Sequence, residues 1–223
     1  MMYLEIFYPP QKKAFHIFEQ ETDVIKSNRF FLAGGTALAL QIGHRRSVDF
    51  DFFTPLGFDP PSLLREVLKI FPGGKIQKEG KNTLTILWNE VQLSFFGGIT
   101  LHHLRPPIVT PAFPMFSIPD IAAMKIAAML QRKALRDYFD LAYLLHSKEL
   151  SVSQIMKGFY EKYGEQGKTY PESFLLRTLS YVHDLPSDPV SVMKDKGFWG
   201  EKNIRKKIGE VMEDHIRRYL KEK

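Results

Sequence analysis

Residues 31–55 read FLAGGTALALQIGHRRSVDFDFFTP. Phe30 to Ala33 is a short apolar run suited to a buried strand. Gly34 and Gly35 break it, Thr36 to Ile42 consists of good helix formers, and Gly43 ends the predicted helix. A glycine pair at a strand-to-helix turn lets backbone N–H groups approach a phosphate closely, with the positive end of the helix behind them. Thirteen residues after Gly35 comes a second predicted strand, Val48 to Phe53, reading VDFDFF. Side chains alternate along a strand, so Asp49 and Asp51 share one face and Phe50 and Phe52 the other. Two carboxylates so spaced converge on a hard cation such as Mg²⁺, which favours oxygen ligands and pairs with phosphates. Each feature alone has a plain structural explanation, since many such turns use Gly-Gly and an Asp-x-Asp can be a solvated edge. The ordered combination is more specific, because burying unpaired carboxylates among phenylalanines is costly.

The rest of the chain bounds the context. Its 223 residues suffice for one good-sized domain or two small ones. Hydrophobic content of 44% and charged content of 25% are ordinary for a globular protein. The absence of cysteine excludes disulfides and thiolate metal sites. No apolar run reaches membrane-span length and the N-terminus lacks a signal-peptide layout, so a cytoplasmic protein without a membrane partner is expected. A net charge of +6 and a pI near 9.3 favour a polyanionic partner such as RNA.

Gln11 to Ser27 places Phe15, Phe18 and Ile25 at helical spacing, and Ser62 to Phe71 reads as a second helix after a proline-rich loop. Lys75 to Phe96 alternates like a hairpin: TLTILW, a turn at Asn89-Glu90, then VQLSFF, with Gln92, Ser94 and Phe96 opposite in face to Val91, Leu93 and Phe95. Residues 97–116 are rich in Gly and Pro and read as a linker between two lobes; His102-His103 within it has no carboxylate or cysteine at ligand spacing. Ser117-x-x-Asp120, with Pro119, starts a helix predicted to run to about Ser147. On it Lys125, Arg132 and Arg136 fall on one side, at spacings of seven and four. Alone, that is a solvated basic stripe paired to Asp137 and Asp140. Further helices are predicted to open at Ser151 and Thr169; a loop with Pro186 and Pro189 leads to a last one, Asn203 to about Lys221.

Two blocks, GGTALAL…GHRRSVDFDFF and DIAAMKIAAMLQRKALRDYFDLAYLL (residues 120–145), resemble the AbiEii/AbiGii-type toxin nucleotidyltransferases, within the DNA polymerase β-like superfamily. The resemblance implies an α/β (α+β) fold: a nucleotidyltransferase core with a small mixed sheet over 1–115, then a C-terminal helical lobe over 116–223 completing the nucleotide pocket. It implies transfer of a nucleoside monophosphate from an NTP to an acceptor hydroxyl, with RNA, in particular the tRNA 3′ end, as acceptor and a cognate antitoxin as partner. Asp49 and Asp51 match the metal-binding pair, for Mg²⁺ or Mn²⁺, and with Lys125 the catalytic set. Gly34, Gly35, Thr36, Arg45, Ser47, Arg132, Asp137 and Asp140 match the nucleotide-binding positions. One departure stands out. Superfamily members commonly carry a third carboxylate on a neighbouring strand, where this sequence has Ser94. That keeps two alternatives open: a catalytically degenerate nucleotide- or RNA-binding module, and a small-molecule nucleotidyltransferase.

Overall fold

The computed structural model describes residues 2–99, 102–186, 189–200 and 203–223. Residues 100 and 101 of the expected linker, and 187 and 188 of the expected loop before the last helix, lie outside them. The chain forms two compact units: Met1–Gly43, Ser47–Leu101 and Pro106–Phe116 in the first; His44–Arg46, His102–Arg105 and Ser117–Lys223 in the second.

The first unit is mixed α/β. After a 3₁₀ turn at Leu4–Ile6 come α1 (Pro9–Gln20), α2 (Asp23–Ser27), β1 (Phe31–Ala33), α3 (Gly34–Ile42), β2 (Asp49–Phe53), α4 (Pro60–Ile70), β3 (Lys75–Gly80), β4 (Thr83–Trp88) and β5 (Val91–Phe96). The strands form one five-stranded sheet of order β1-β2-β5-β4-β3. β2 and β5 are parallel, and the other neighbours are antiparallel. The β4–β5 turn is Asn89-Glu90, both at positive φ (46° and 67°), the pattern of a two-residue hairpin turn matched to strand twist.

Alternation decides which face of the sheet is core. Phe50, Phe52 and Phe95 are fully buried, and Phe18 of α1 packs its ring 6.0 Å from Phe50, 5.1 Å from Phe52 and 4.9 Å from Phe71. Each such side chain contributes roughly 1.5–3 kcal/mol by leaving water. Asp49, Asp51 and Phe53, on the other face, are only half-buried. The predicted helix over 11–27 is interrupted after Gln20, giving α1 and α2.

The second unit is helical among the described residues: α5 (Ile118–Gln131), α6 (Leu135–His146), α7 (Val152–Lys168), α8 (Glu172–Ser180), α9 (Lys196–Trp199) and α10 (Ile204–Glu222). Ser117 caps α5 through its hydroxyl, and Ser151 with Gln154 forms a capping box on α7. α6 packs against α5 and α10, and fully buried Trp199 sits 5.1 Å from the Phe139 ring. The single helix expected over 117–147 is two helices, because Arg132 and Ala134 adopt extended backbone (φ −148° and −133°). No glycine or proline marks that break. The ion pair across it explains it: residues 12 apart on one straight helix would lie about 18 Å apart along the axis, whereas Lys125 Nζ is 2.6 Å from Asp137 Oδ1.

Candidate active site

The first constellation lies in the sheet unit. Gly34 opens α3 at φ +69°, a left-handed conformation that suits glycine, and the helix start has no side-chain cap. A Cβ at Gly34 would lie 2.8 Å from Asp51 Oδ2, so only glycine lets this backbone pass so close to the carboxylate. Thr36 is buried, and its hydroxyl donates to the Asp49 carbonyl, with Ser47 Oγ 2.9 Å from Thr36 Oγ1. Its proton is therefore directed at the β2 backbone. Thr36 and Ser47 together tie the start of α3 to the start of β2. The Ser47 carbonyl in turn accepts from buried Gln11 of α1 at 3.3 Å.

The ladder register names the neighbours of the two carboxylates. Ala33 and Ser94 flank Asp51, and Gln92 faces Asp49. Ser94 is buried and accepts from Gln92 Nε2 at 3.1 Å. Glu90, in the hairpin turn, is exposed. Among the described residues no group of three or more His, Cys, Asp or Glu converges as a metal cluster. Two carboxylates on one face with a hydroxyl between strands make an all-oxygen donor set. That suits a hard dication which keeps part of its shell for phosphate oxygens. Asp49 and Asp51 would hold it.

The second constellation lies in the helical unit, which includes the turn residues His44–Arg46. That turn is pinned through its backbone: Arg46 N donates to the Ser191 carbonyl at 2.9 Å, and Met193 N to the His44 carbonyl at 2.8 Å. Arg45 grips Asp140 with two parallel bonds, Nε to Oδ1 at 2.6 Å and the second guanidinium nitrogen to Oδ2 at 2.9 Å. Lys125 Nζ lies 2.6 Å from both Asp137 Oδ1 and Asp140 Oδ2. Arg132 Nε donates to Asp137 Oδ2 at 3.1 Å, its side chain remaining 56% exposed. Arg136 is exposed on α6.

His44, which sequence reasoning missed, completes this network. It is fully buried, stacked on Phe139 with ring planes 9° apart, and its Nε2 lies 2.8 Å from Asp140 Oδ1. Burial lowers its pKa to about 4 against the raising effect of Asp140, so at neutral pH it is an uncharged donor. Burial alone would raise Asp140. The charges of Arg45 and Lys125 and the hydrogen bonds from Arg45 and His44 outweigh it and hold the carboxyl well below its usual range. Three cations, Arg45, Lys125 and Arg132, pair with the two carboxylates. The signal for His44 in the sequence is only its place beside Arg45 after Gly43.

The linker residues are held by a separate buried pair. Asp120 accepts from Lys162 Nζ at 2.7 Å and from the Leu104 backbone at 2.9 Å, while Lys162 also donates to the His102 carbonyl.

The model of the AbiEii nucleotidyltransferase toxin family, described as a type IV toxin–antitoxin system, matches residues 17–214. The chain belongs to this family. It is thereby a nucleotidyltransferase, with the α/β core such enzymes share. The Aquifex aeolicus (strain VF5) protein aq_aa25, itself uncharacterized, is 30% identical over 198 residues, covering 84% of this chain and 90% of the relative. Two solved structures share the fold. One, from H. pylori, carries the provisional name nucleotidyltransferase and aligns with a TM-score of 0.57 at 16% identity, over 97% of this chain and 99% of its own. The other, JHP933 from Helicobacter pylori, aligns at 0.54 and 15% identity, over 100% and 96%. No helix of the described residues is long and apolar enough to cross a membrane.

Proposed function

We propose that this nucleotidyltransferase moves a nucleoside monophosphate from an NTP to the hydroxyl of an RNA acceptor, in particular the tRNA 3′ end. It would act as the growth-arresting toxin of a cytoplasmic toxin–antitoxin or abortive-infection pair whose antitoxin is its cognate partner. The observation that carries the reading is the pairing of Asp49 and Asp51 with the uncapped, glycine-led start of α3, in a chain of this family.

The N–H groups at Gly34 and Gly35 suit phosphate oxygens, as at other helix N-termini. Asp49 and Asp51 would hold Mg²⁺, or Mn²⁺, which would neutralise phosphate charge. The acceptor oxygen attacks the α-phosphorus, the bond from that phosphorus to the bridging oxygen breaks, pyrophosphate leaves with the electron pair, and the hydroxyl proton passes to solvent. Thr36 and Ser47 keep α3 and β2 in register through this step. In the helical unit, Arg45, Lys125 and Arg132 would offer positive charge to a nucleotide's phosphates. The net charge of +6 fits a polyanionic acceptor.

The test incubates the protein with Mg²⁺, each α-labelled NTP in turn and total tRNA, beside Asp49→Ala. Label in RNA with the wild type alone supports the reading and names the base. Label in a small molecule or protein instead would replace the acceptor. NTP binding without transfer to any acceptor would favour the degenerate binding module that Ser94 suggests.

A further inference from the structure

The face of the sheet that carries the two carboxylates also carries an aromatic row. In the β2–β5 register Phe53 lies opposite Phe96, one repeat beyond Asp51 opposite Ser94. The two rings stack, centroids 5.1 Å apart and planes 30° from parallel. Phe31 of β1 pairs with Phe53 and extends the row, its ring tilted against Phe116 at 5.8 Å. On the opposite face Phe50, Phe52 and Phe95 are fully buried, whereas Phe53 and Phe96 are half-buried. The β4 neighbours on this face are Thr83 opposite Phe96, Thr85 opposite Ser94 and Leu87 opposite Gln92.

We propose that Phe53 and Phe96 form a stacking platform for a nucleobase, and this rests on the nucleotidyl-transfer reading above. Three observations favour a base over simple packing. The row is continuous with the carboxylates, two residues or about 6.6 Å along the strand, close to the span from a nucleotide's phosphate to its base. The rings lie on the face whose other groups suit phosphate and metal, so a ligand held there meets them. Half-open aromatic faces accept any base by stacking, without reading its edge. The base belongs either to the incoming nucleotide or to the acceptor's terminal residue.

The experiment uses 2-aminopurine, whose fluorescence falls on stacking. The probes are 2-aminopurine riboside triphosphate and a short RNA ending in 2-aminopurine, each with Mg²⁺, and tripolyphosphate as a base-free control followed calorimetrically. Phe53→Leu and Phe96→Leu keep apolar bulk; Phe53→Tyr keeps the ring; thermal unfolding checks that each variant is folded. The expected result is quenching of one or both probes by the wild type. Their affinity should fall roughly 10- to 100-fold in the leucine variants and return with tyrosine, while tripolyphosphate binding stays constant. The probe that responds identifies the base. Equal probe affinity in wild type and both leucine variants, with nucleotide transfer intact, overturns the platform and leaves the transfer reading standing. If the wild type binds neither tripolyphosphate nor probe and transfers nothing, the transfer reading fails and the platform with it.

Discussion

Asp51 of β2 and Ser94 of β5 are register partners in the parallel ladder, on one face of the sheet. Ser94, the position at which the resemblance leads one to expect a third carboxylate, is a buried serine beside Asp51. Ser94→Asp adds an acid at that place, and Mn²⁺ titration followed by electron paramagnetic resonance should show tighter binding than in the wild type. Asp51→Asn should weaken Mn²⁺ binding and slow transfer by on the order of 10²–10⁴, the scale of losing a principal electrostatic group. Unchanged Mn²⁺ affinity in both variants would remove this face as the metal site.

Gly34→Ala addresses the same face from the backbone. The substitution strains a φ of +69° and drives a methyl toward Asp51 Oδ2. Stability should fall by about 1–2 kcal/mol from the left-handed backbone, measured by urea unfolding. Transfer should fall well beyond what the unfolded fraction explains, because the methyl occupies the approach to the carboxylate.

His44 makes the helical unit acid-sensitive. Its folded pKa is lowered to about 4 from 6.5, so between those values the unfolded chain binds the proton that the folded chain refuses. Stability is therefore complete above 6.5 and declines as pH falls toward 4, by on the order of 3 kcal/mol in all. Asp140, lowered well below 3.8, acts in the same direction at still lower pH, where the unfolded state takes up its proton first. Urea midpoints measured from pH 7 to 4 should show this slope in the wild type, and His44→Gln should flatten it. A slope of the same size in the variant would assign it to other groups.

Lys125 neutralises two buried carboxylates at once. Lys125→Met leaves Asp137 and Asp140 facing each other with one cation fewer, and should destabilise by about 3–5 kcal/mol. Combining Lys125→Met with Asp137→Asn and Asp140→Asn removes the unpaired charge and should recover part of that loss in chemical denaturation. Arg132→Ala, at a half-exposed side chain, should leave the unfolding midpoint nearly unchanged. A slower transfer rate in that variant would report its charge acting on substrate.

The sheet and its carboxylate face were legible in the sequence because a strand's period of two is a local property. VDFDFF can bury its phenylalanines only by turning both aspartates the other way. The glycine turn, the Asn89-Glu90 hairpin and the capped helix starts at Ser117 and Ser151 were equally local, each set by backbone conformation or a hydrogen bond within a few residues. What only the tertiary structure decided are the features set by partners far apart in the chain. The break between α5 and α6 carries no breaker residue; it follows from Lys125 meeting Asp137 and Asp140, which a straight helix forbids. The role of His44 depends on Asp140, 96 residues away, and on burial that turns a common surface residue into a neutral donor. The meeting of Asp51 with Ser94 depends on which strands become neighbours. Long-range pairings of buried charge and strand order depend on the whole packed chain, and no short window of sequence contains them.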